Sequence, residues 1–317
     1  MAHSDVIAQE VLMKAYTKIS SSKSYVCQDE RELNILKRFG FEIIGDRANL
    51  GEGAELLDAD QISIHLSDDL EGTLRNIEIL TCTDSTNDRL QERSKEMSID
   101  GHIMMAEVQT AGRGRRGRKW ETPFGKTVAL SLGVSIDMPA SAVSCLSLVV
   151  GVAVAEALLS VGVADVRLKW PNDVLIEGGK VGGILTELVV ATKPVEVVVG
   201  IGINVGSAST IRQVVDYPVA DVCDYVEGPV RNRLVAELIN HVVRQCRYLE
   251  ANGFASLRER WMQLDAFRSR EVVITSPNER VHGKAVGLGS NGELLIQTED
   301  GKRRKILGGD VSLRELA

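Results

Sequence analysis

Much of what this sequence excludes follows from what it lacks. It has no closely spaced cysteines: Cys27, Cys82, Cys145, Cys223 and Cys246 are far apart and odd in number. Neither a disulfide framework nor a metal-binding or redox pair is expected, and the reading is reduced thiols in a cytosolic protein. The histidines (His3, His65, His102, His241, His282) are equally scattered, so no dedicated zinc site is expected. Positive charge is in deficit. The 317 residues carry a formal net charge of −7, which argues against a protein that coats nucleic acid through overall charge. The N-terminus lacks the charged start and apolar run of a secretion signal. No apolar stretch is read as approaching the roughly 18 residues that span a bilayer. What remains is an ordinary globular composition, 44% hydrophobic and 26% charged, read as cytoplasmic.

Pattern divides the chain into three expected domains, 1–66, 67–268 and 269–317. In the first, VIAQEVLMKAY reads as an amphipathic helix with Ile7, Val11, Leu12 and Ala15 on one face. DERELNILKRFGFEII gives a second helix, a Gly40 C-cap and a short strand, and NLGEGAELL has the glycines of a turn. In the middle, strands and helices alternate. NIEILTCT, HIMMAEVQ, the half-buried alternation TVALSLGVSI, DVRLKW, DVLIE and VGGILTELVV read as strands. Gly178-Gly179 turns the last two into a hairpin, and VEVVVGIGINV closes the sheet. Asp84-Ser85-Thr86-Asn87 caps a helix, SAVSCLSLVVGVAVAEALLSVG is a long apolar helix, and LVAELINHVVRQCRYLE is amphipathic. From about 270 onward only short strands and turns are evident, as in a small β-barrel.

Three groups carry chemistry. Residues 112–120, GRGRRGRKW, hold five cations and three glycines. The glycines permit close backbone approach and the arginines offer bidentate donors to phosphate or carboxylate. Such a loop suits an anionic ligand, or equally a nonspecific contact with nucleic acid. In VRLKW, Val166, Leu168 and Trp170 face one way and Arg167 and Lys169 the other. Pro171 then breaks the strand and leaves Asn172 and Asp173 at its mouth, an arrangement suited to an anionic reactant with a metal ion, or to a solvated edge. Lastly, KVGGIL and GIGIN place glycines inside apolar strands, marking close approach of a ligand or of another backbone, or equally a β-bulge or tight packing against the long helix.

In this order, DSTN, QTAGRGRRGRKW, KWPND, KVGGILTEL and GIGINV resemble the biotin–protein ligase family across nearly the whole chain, including GGDVSLREL at its end. The resemblance implies an α+β fold: a central mixed sheet with helices, an N-terminal winged-helix-like domain and a small C-terminal β-barrel. It implies that biotin and ATP form biotinyl-5′-AMP and pyrophosphate, with Mg2+ arriving on ATP and no dedicated protein metal site. Biotin then passes to a lysine of a biotin carboxyl carrier protein. Ser85, Thr86, Asn87 and Gln109 would hold biotin, and Arg113, Gly114 and Arg115 would fold over it. Lys169 would sit between carboxylate and α-phosphate, with Arg115 and Lys169 as the catalytic pair, and Gly183 and Ile184 would line the pocket by their backbone. Arg113, Arg118, Trp120, Asn172 and Asn204 would lie near ATP or its magnesium. Family members often form homodimers by aligning sheets edge to edge, and no membrane partner is implied. Some members are also biotin-responsive repressors that bind DNA through the N-terminal domain, which makes a bifunctional ligase and repressor the alternative. Against DNA binding here, residues 1–66 carry seven Lys and Arg against eleven Asp and Glu, a net of −4. Lipoate attachment is the related chemistry that GRGRRGRKW argues against.

Overall fold

The computed structural model describes residues 3–22, 24–275, 280–307 and 312–315. Its N-terminal unit comprises α1 (His3–Ser22), β1 (Ser24–Val26), α2 (Glu30–Arg38), β2 (Phe41–Ile44) and β3 (Arg47–Leu50), with strands ordered β1-β3-β2. Asp29 caps α2 by accepting from Glu32 N at 2.8 Å, and acidic and basic residues sit at the ends where the helix dipole favours them. Gly40 then turns the chain at φ +85°. A tight β2–β3 turn falls at Gly45-Asp46. The turn expected in NLGEGAELL is present as well: Ala54 N donates to Gly51 O at 3.2 Å across Glu52-Gly53, and Gly53 takes φ +76°. Strand β1 stands between the two helices, in place of the turn of about three or four residues that joins a helix-turn-helix.

This unit is not separate from the rest. Phe124, from the segment following the arginine loop, is 1% exposed inside the N-terminal core. Its ring centroid lies 5.0 Å from Phe41 and 6.1 Å from Tyr16, and its N–H donates to Phe39 O at 2.9 Å. Residues 51–70 connect onward through α3 (Ala59–His65).

The central unit contains β4 (Asn76–Thr83), α4 (Thr86–Arg93), β5 (His102–Gln109), β6 (Thr127–Ile136), α5 (Leu146–Ser160), β7 (Val166–Lys169), β8 (Asp173–Ile176), β9 (Gly179–Val190), β10 (Val195–Asn204), α6 (Ala208–Ile211), α7 (Arg231–Asn252) and α8 (Ala255–Leu264). The sheet order is β4-β5-β6-β10-β9-β8-β7, with β4–β5 parallel and the remaining pairs antiparallel. Strand β10 therefore lies at the centre of the sheet and does not close it. Strand β6 is buried on both faces, not half-buried as its alternation suggests, because α5 and α7 cover one face and α4 the other. The β8–β9 turn is Glu177-Gly178, both at positive φ, and Gly179 already belongs to β9. Strand β8 covers β9 only as far as Gly183. Among the described residues no strand pairs the outer edge of Ile184–Val190.

The apolar helix α5 is shorter than the segment read as helical, but the apolar stretch it belongs to does reach the length excluded above. Val143–Ser160 spans 18 residues at a mean hydropathy of 2.1, enough by length and composition to cross a membrane, but 67% of it is buried in the fold. It forms the centre of the main core. A buried ion pair closes the far side of the sheet: Arg231 Nη1 lies 2.5 Å from Glu107 Oε2, with both side chains at 0% exposure. Arg231 also donates to Thr127 O and Glu55 O, while Glu107 accepts from Leu57 N.

The C-terminal unit is antiparallel: β11 (Glu271–Thr275), β12 (Arg280–Leu288), β13 (Leu294–Gln297), β14 (Arg303–Ile306) and β15 (Ser312–Glu315), ordered β14-β13-β12-β11-β15. Of the GGDVSLREL segment, Ser312–Glu315 is β15 and the rest lies outside the described residues. All five cysteines are free thiols, and burial pushes Cys82 and Cys246 up to about 12.

Candidate active site

A cavity of about 220 Å³ opens on the α4 face of the sheet, bringing together Ser85, Thr86, Asn87, Gln109, the arginine loop, Lys169 and β9–β10. Its floor is polar. Ser85 ends β4's loop and caps α4, so Thr86 and Asn87 begin the helix and point into the sheet. Thr86 donates to Gln109 Oε1 through its N–H at 2.8 Å and lies 3.2 Å from it through Oγ1. Ser131 Oγ, fully buried on β6, is 2.7 Å from Thr86 Oγ1 and 2.6 Å from Asn87 Oδ1. Asn87 Nδ2 donates to Glu187 Oε2 at 2.7 Å. The sequence reading missed Ser131 and Glu187. The signal for Ser131 was legible: along β6, Ala129, Ser131 and Gly133 are the small residues alternating with core-facing Val128, Leu130 and Leu132.

The strand glycines clear space for side chains of the chain itself. A Cβ at Gly200 would collide with the Asn87 amide, and one at Gly202 with the Trp120 indole. Gly202→Ala is therefore expected to displace Trp120. Overpacking costs about 1–3 kcal/mol, so the midpoint of urea unfolding should fall accordingly, and an unchanged midpoint would mean that the indole yields without strain.

The arginine loop is a compact turn over this floor. Gly114 N donates to Arg118 O, Trp120 N donates to Gly112 O, and Arg116 and Gly117 take positive φ. Arg113 is clamped between Asp88 at 2.5 Å and Glu187 at 3.0 Å. Burial raises the Asp88 carboxyl, and Arg113 opposes that rise. Arg115 Nη1 lies 3.4 Å from Asn172 Oδ1. Arg118 is exposed at the rim.

The opposite end is cationic and aromatic. Lys180 Nζ sits 2.6 Å from Asp173 Oδ1, 5.8 Å from the Trp120 ring and 5.7 Å from the Tyr217 ring. Trp120 Nε1 is buried with no hydrogen-bond partner, an orphan donor beside the cavity. Lys169 also lines the cavity, with Nζ 5.8 Å from the Phe267 ring. Lys180 and Tyr217 were given no role in the sequence-derived site, whereas Asp173 was placed beside Asn172 at the mouth of the strand. The strand signal favoured Lys169 because the one-residue shift at the β8–β9 bulge, which turns Lys180 inward, leaves no mark in the residue pattern.

Asn172 and Asn204 serve as brackets. Asn172 Nδ2 donates to Ile184 O at 2.7 Å and Asn172 O accepts from Ile184 N at 3.0 Å, so both backbone groups of Ile184 are engaged by the β7–β8 turn. The Ile184 side chain lies in the main core, while Gly183 abuts Lys180 and Trp120. Asn204, 3% exposed, donates to Lys180 O and Ala220 O and so fixes the backbone that carries Lys180.

Comparison with known proteins gives a consistent result. Residues 79–204 match the biotin/lipoate A/B protein ligase family, and residues 270–314 match the biotin protein ligase C-terminal domain. The chain is similar to the bifunctional ligase/repressor BirA of Escherichia coli, 35% identical over 275 residues, covering 86% of this chain and 83% of that protein. It is equally similar, 35% over 246 residues, to the biotin–[acetyl-CoA-carboxylase] ligase of Mycobacterium tuberculosis, covering 75% and 88%. Among solved structures it resembles the biotin protein ligase of Aquifex aeolicus in complex with biotin and ATP. That match has a TM-score of 0.65 and 28% identity, covering 77% of this chain and 100% of that one.

Proposed function

The chain belongs to the biotin/lipoate A/B protein ligase family, and from that membership we propose how its cavity carries out the ATP-dependent attachment of biotin to a protein lysine. The protein is a biotin protein ligase, and the family acts on biotin carboxyl carrier proteins. The observation that carries the mechanism is one cavity with a neutral polar floor and a cationic, aromatic-walled opposite end.

Biotin's ring system binds the floor formed by Ser85, Thr86, Asn87, Gln109 and Ser131, under Arg113 and Gly114. Its carboxylate points along β9, past Gly183, towards Arg115 and Lys180. The nucleotide base lies between Trp120 and Tyr217, with Arg118 at the rim, which leaves the α-phosphate beside Lys180 and Arg115. A biotin carboxylate oxygen forms a bond to the α-phosphorus as the bond to pyrophosphate breaks. The work of the protein is to hold two anions together and to oppose the charge that grows on the leaving group. Arg115 and Lys169 supply the opposing positive charge, and Lys180, which lines the same cavity, adds to it. No group of three potential metal ligands occurs among the described residues. The lone Asp173 carboxylate suits Mg2+ that arrives on the triphosphate, where it would add positive charge to the leaving group. The acceptor amine then forms the amide with the acyl carbon, and AMP leaves. A groove between the outer edge of β9 and the C-terminal sheet, bordered by Arg116, Leu188, Asn291 and Leu307, meets the cavity at Arg115 and Leu185 and offers the acceptor its route.

Labelling of a biotin carboxyl carrier domain that depends on both biotin and ATP tests this reading. Absence of labelling with folded protein refutes it. Arg115→Gly removes a charged donor worth about 1.5–3 kcal/mol from the loop covering the adenylate. Release of biotinyl-5′-AMP is expected to rise about tenfold or more, with labelling of unrelated lysines nearby, and wild-type release would rule out that role.

The division at 66 and 268 is kept for the functional units, and the enzyme is read as cytoplasmic. The unpaired β9 edge supports an edge-to-edge homodimer. The bifunctional alternative draws on the names of relatives such as BirA. Against it stand the net −4 of residues 1–66 and the strand between α1 and α2. A gel shift with the upstream DNA of the biotin-synthesis genes, with and without biotin and ATP, decides between them.

A further inference from the structure

Two hydroxyl hydrogens, those of Thr86 and Ser131, serve three oxygen–oxygen contacts on the cavity floor: Thr86 to Gln109 at 3.2 Å, Ser131 to Thr86 at 2.7 Å and Ser131 to Asn87 at 2.6 Å. The floor is therefore rich in acceptors and short of hydrogens. That polarity depends on which way the Asn87 amide faces. Turned with Nδ2 inward, Asn87 would supply two more donors to the floor and remove an acceptor. What chiefly opposes the turn is Glu187, outside the cavity lining: a carboxylate can only accept, so it holds Asn87 Nδ2 at 2.7 Å, with Leu185 O a longer second acceptor at 3.5 Å, and leaves Oδ1 facing Ser131. Arg113 Nη2, 3.0 and 3.1 Å from the two Glu187 oxygens, fixes the carboxylate in turn. Gly200 leaves the space the amide occupies.

We propose that Glu187 is a positioning residue that sets the hydrogen-bond polarity of the biotin site, selecting a head group that presents N–H donors by pinning Asn87 with its oxygen inward. This rests on the reading of the floor as the biotin ring site. The assignment extends the site to a side chain that never touches the ligand, and it gives the Arg113 clamp a role in specificity as well as in covering the pocket.

The test uses the full-length protein and two variants. Glu187→Gln can donate to Asn87, so the amide is no longer held one way. The KM for biotin in ATP–pyrophosphate exchange is expected to rise at least about tenfold, one lost hydrogen-bond match to a charged group being worth about 1.5–3 kcal/mol, while the KM for ATP stays within about threefold. Discrimination between biotin and an N-methylated ureido analogue should shrink in parallel. In the exchanged pair, Asn87→Asp with Glu187→Gln, the amide donates from position 187 and an acceptor again faces Ser131, so the biotin KM is expected to fall at least about threefold below that of Glu187→Gln, part of the lost hydrogen-bond match being restored. An unchanged biotin KM in Glu187→Gln overturns the proposal. If the single variant loses ATP binding as well, the exchanged pair decides: recovery supports the polarity argument and failure to recover overturns it. If wild-type protein does not activate biotin at all, the parent reading fails instead, and the two failures are distinct.

Discussion

Lys180→Ala is expected to lower the rate of ATP–pyrophosphate exchange by about 100- to 1,000-fold at saturating substrates, the usual cost of removing one preorganised group that opposes developing charge. The argument is geometric. Lys180 lies between the Trp120 and Tyr217 rings and against Asp173, and its carbonyl is held by Asn204. Its ammonium has little freedom to leave the place where two anions must meet. Lys169→Ala serves as the comparison. Its ammonium lies beside the Phe267 ring in the lining of the same cavity, so its loss should be of similar size. A loss below about tenfold at either lysine would remove that lysine from the groups that oppose the developing charge.

The second large effect is on stability. In Arg231→Ala the Glu107 carboxylate stays at 0% exposure without its partner, and breaking such a pair costs about 3–5 kcal/mol. The midpoint of urea unfolding should drop accordingly. Neutralising both positions, Glu107→Gln with Arg231→Gln, should recover part of the loss, since the uncompensated charge is then gone. A drop below about 1 kcal/mol in the single variant would mean that water reaches Glu107, contrary to its burial.

The elements of the central unit were legible because their signals are local. Ser85 caps α4, the β6 alternation is regular, and GRGRRGRKW cannot be a core strand. The floor of the site was legible in part for the same reason, since Ser85, Thr86 and Asn87 follow one another in the chain. What was hidden depends on pairing between distant strands. Glu187 meets Asn87 only because β9 lies across the sheet from α4, and Lys180 turns inward only because of a bulge. The glycines of GIGIN were read as close approach of a ligand or another backbone, or as a bulge or helix packing; what approaches Gly200 and Gly202 is the side chains of Asn87 and Trp120, which lie far away in sequence. The apolar stretch Val143–Ser160 shows the converse: its length and composition fit a membrane, which the sequence reading had excluded, and the burial of α5 in the main core bears out its reading as a helix packed on the sheet.

The placement of Phe124 divides the N-terminal unit into two surfaces with different freedom to vary. Residues that surround the ring, among them Tyr16, Phe39 and Phe41, share one core with the stem of the loop that carries Trp120 and the arginines. The outward side, including exposed Met13 and Ile44, makes no such contact. Across related chains, then, sequence drift should run freely on the outer side, where a nucleic-acid contact would be gained or lost, while the inner side stays tied to adenylation. A regulator could lose its operator in this way and still retain the whole domain.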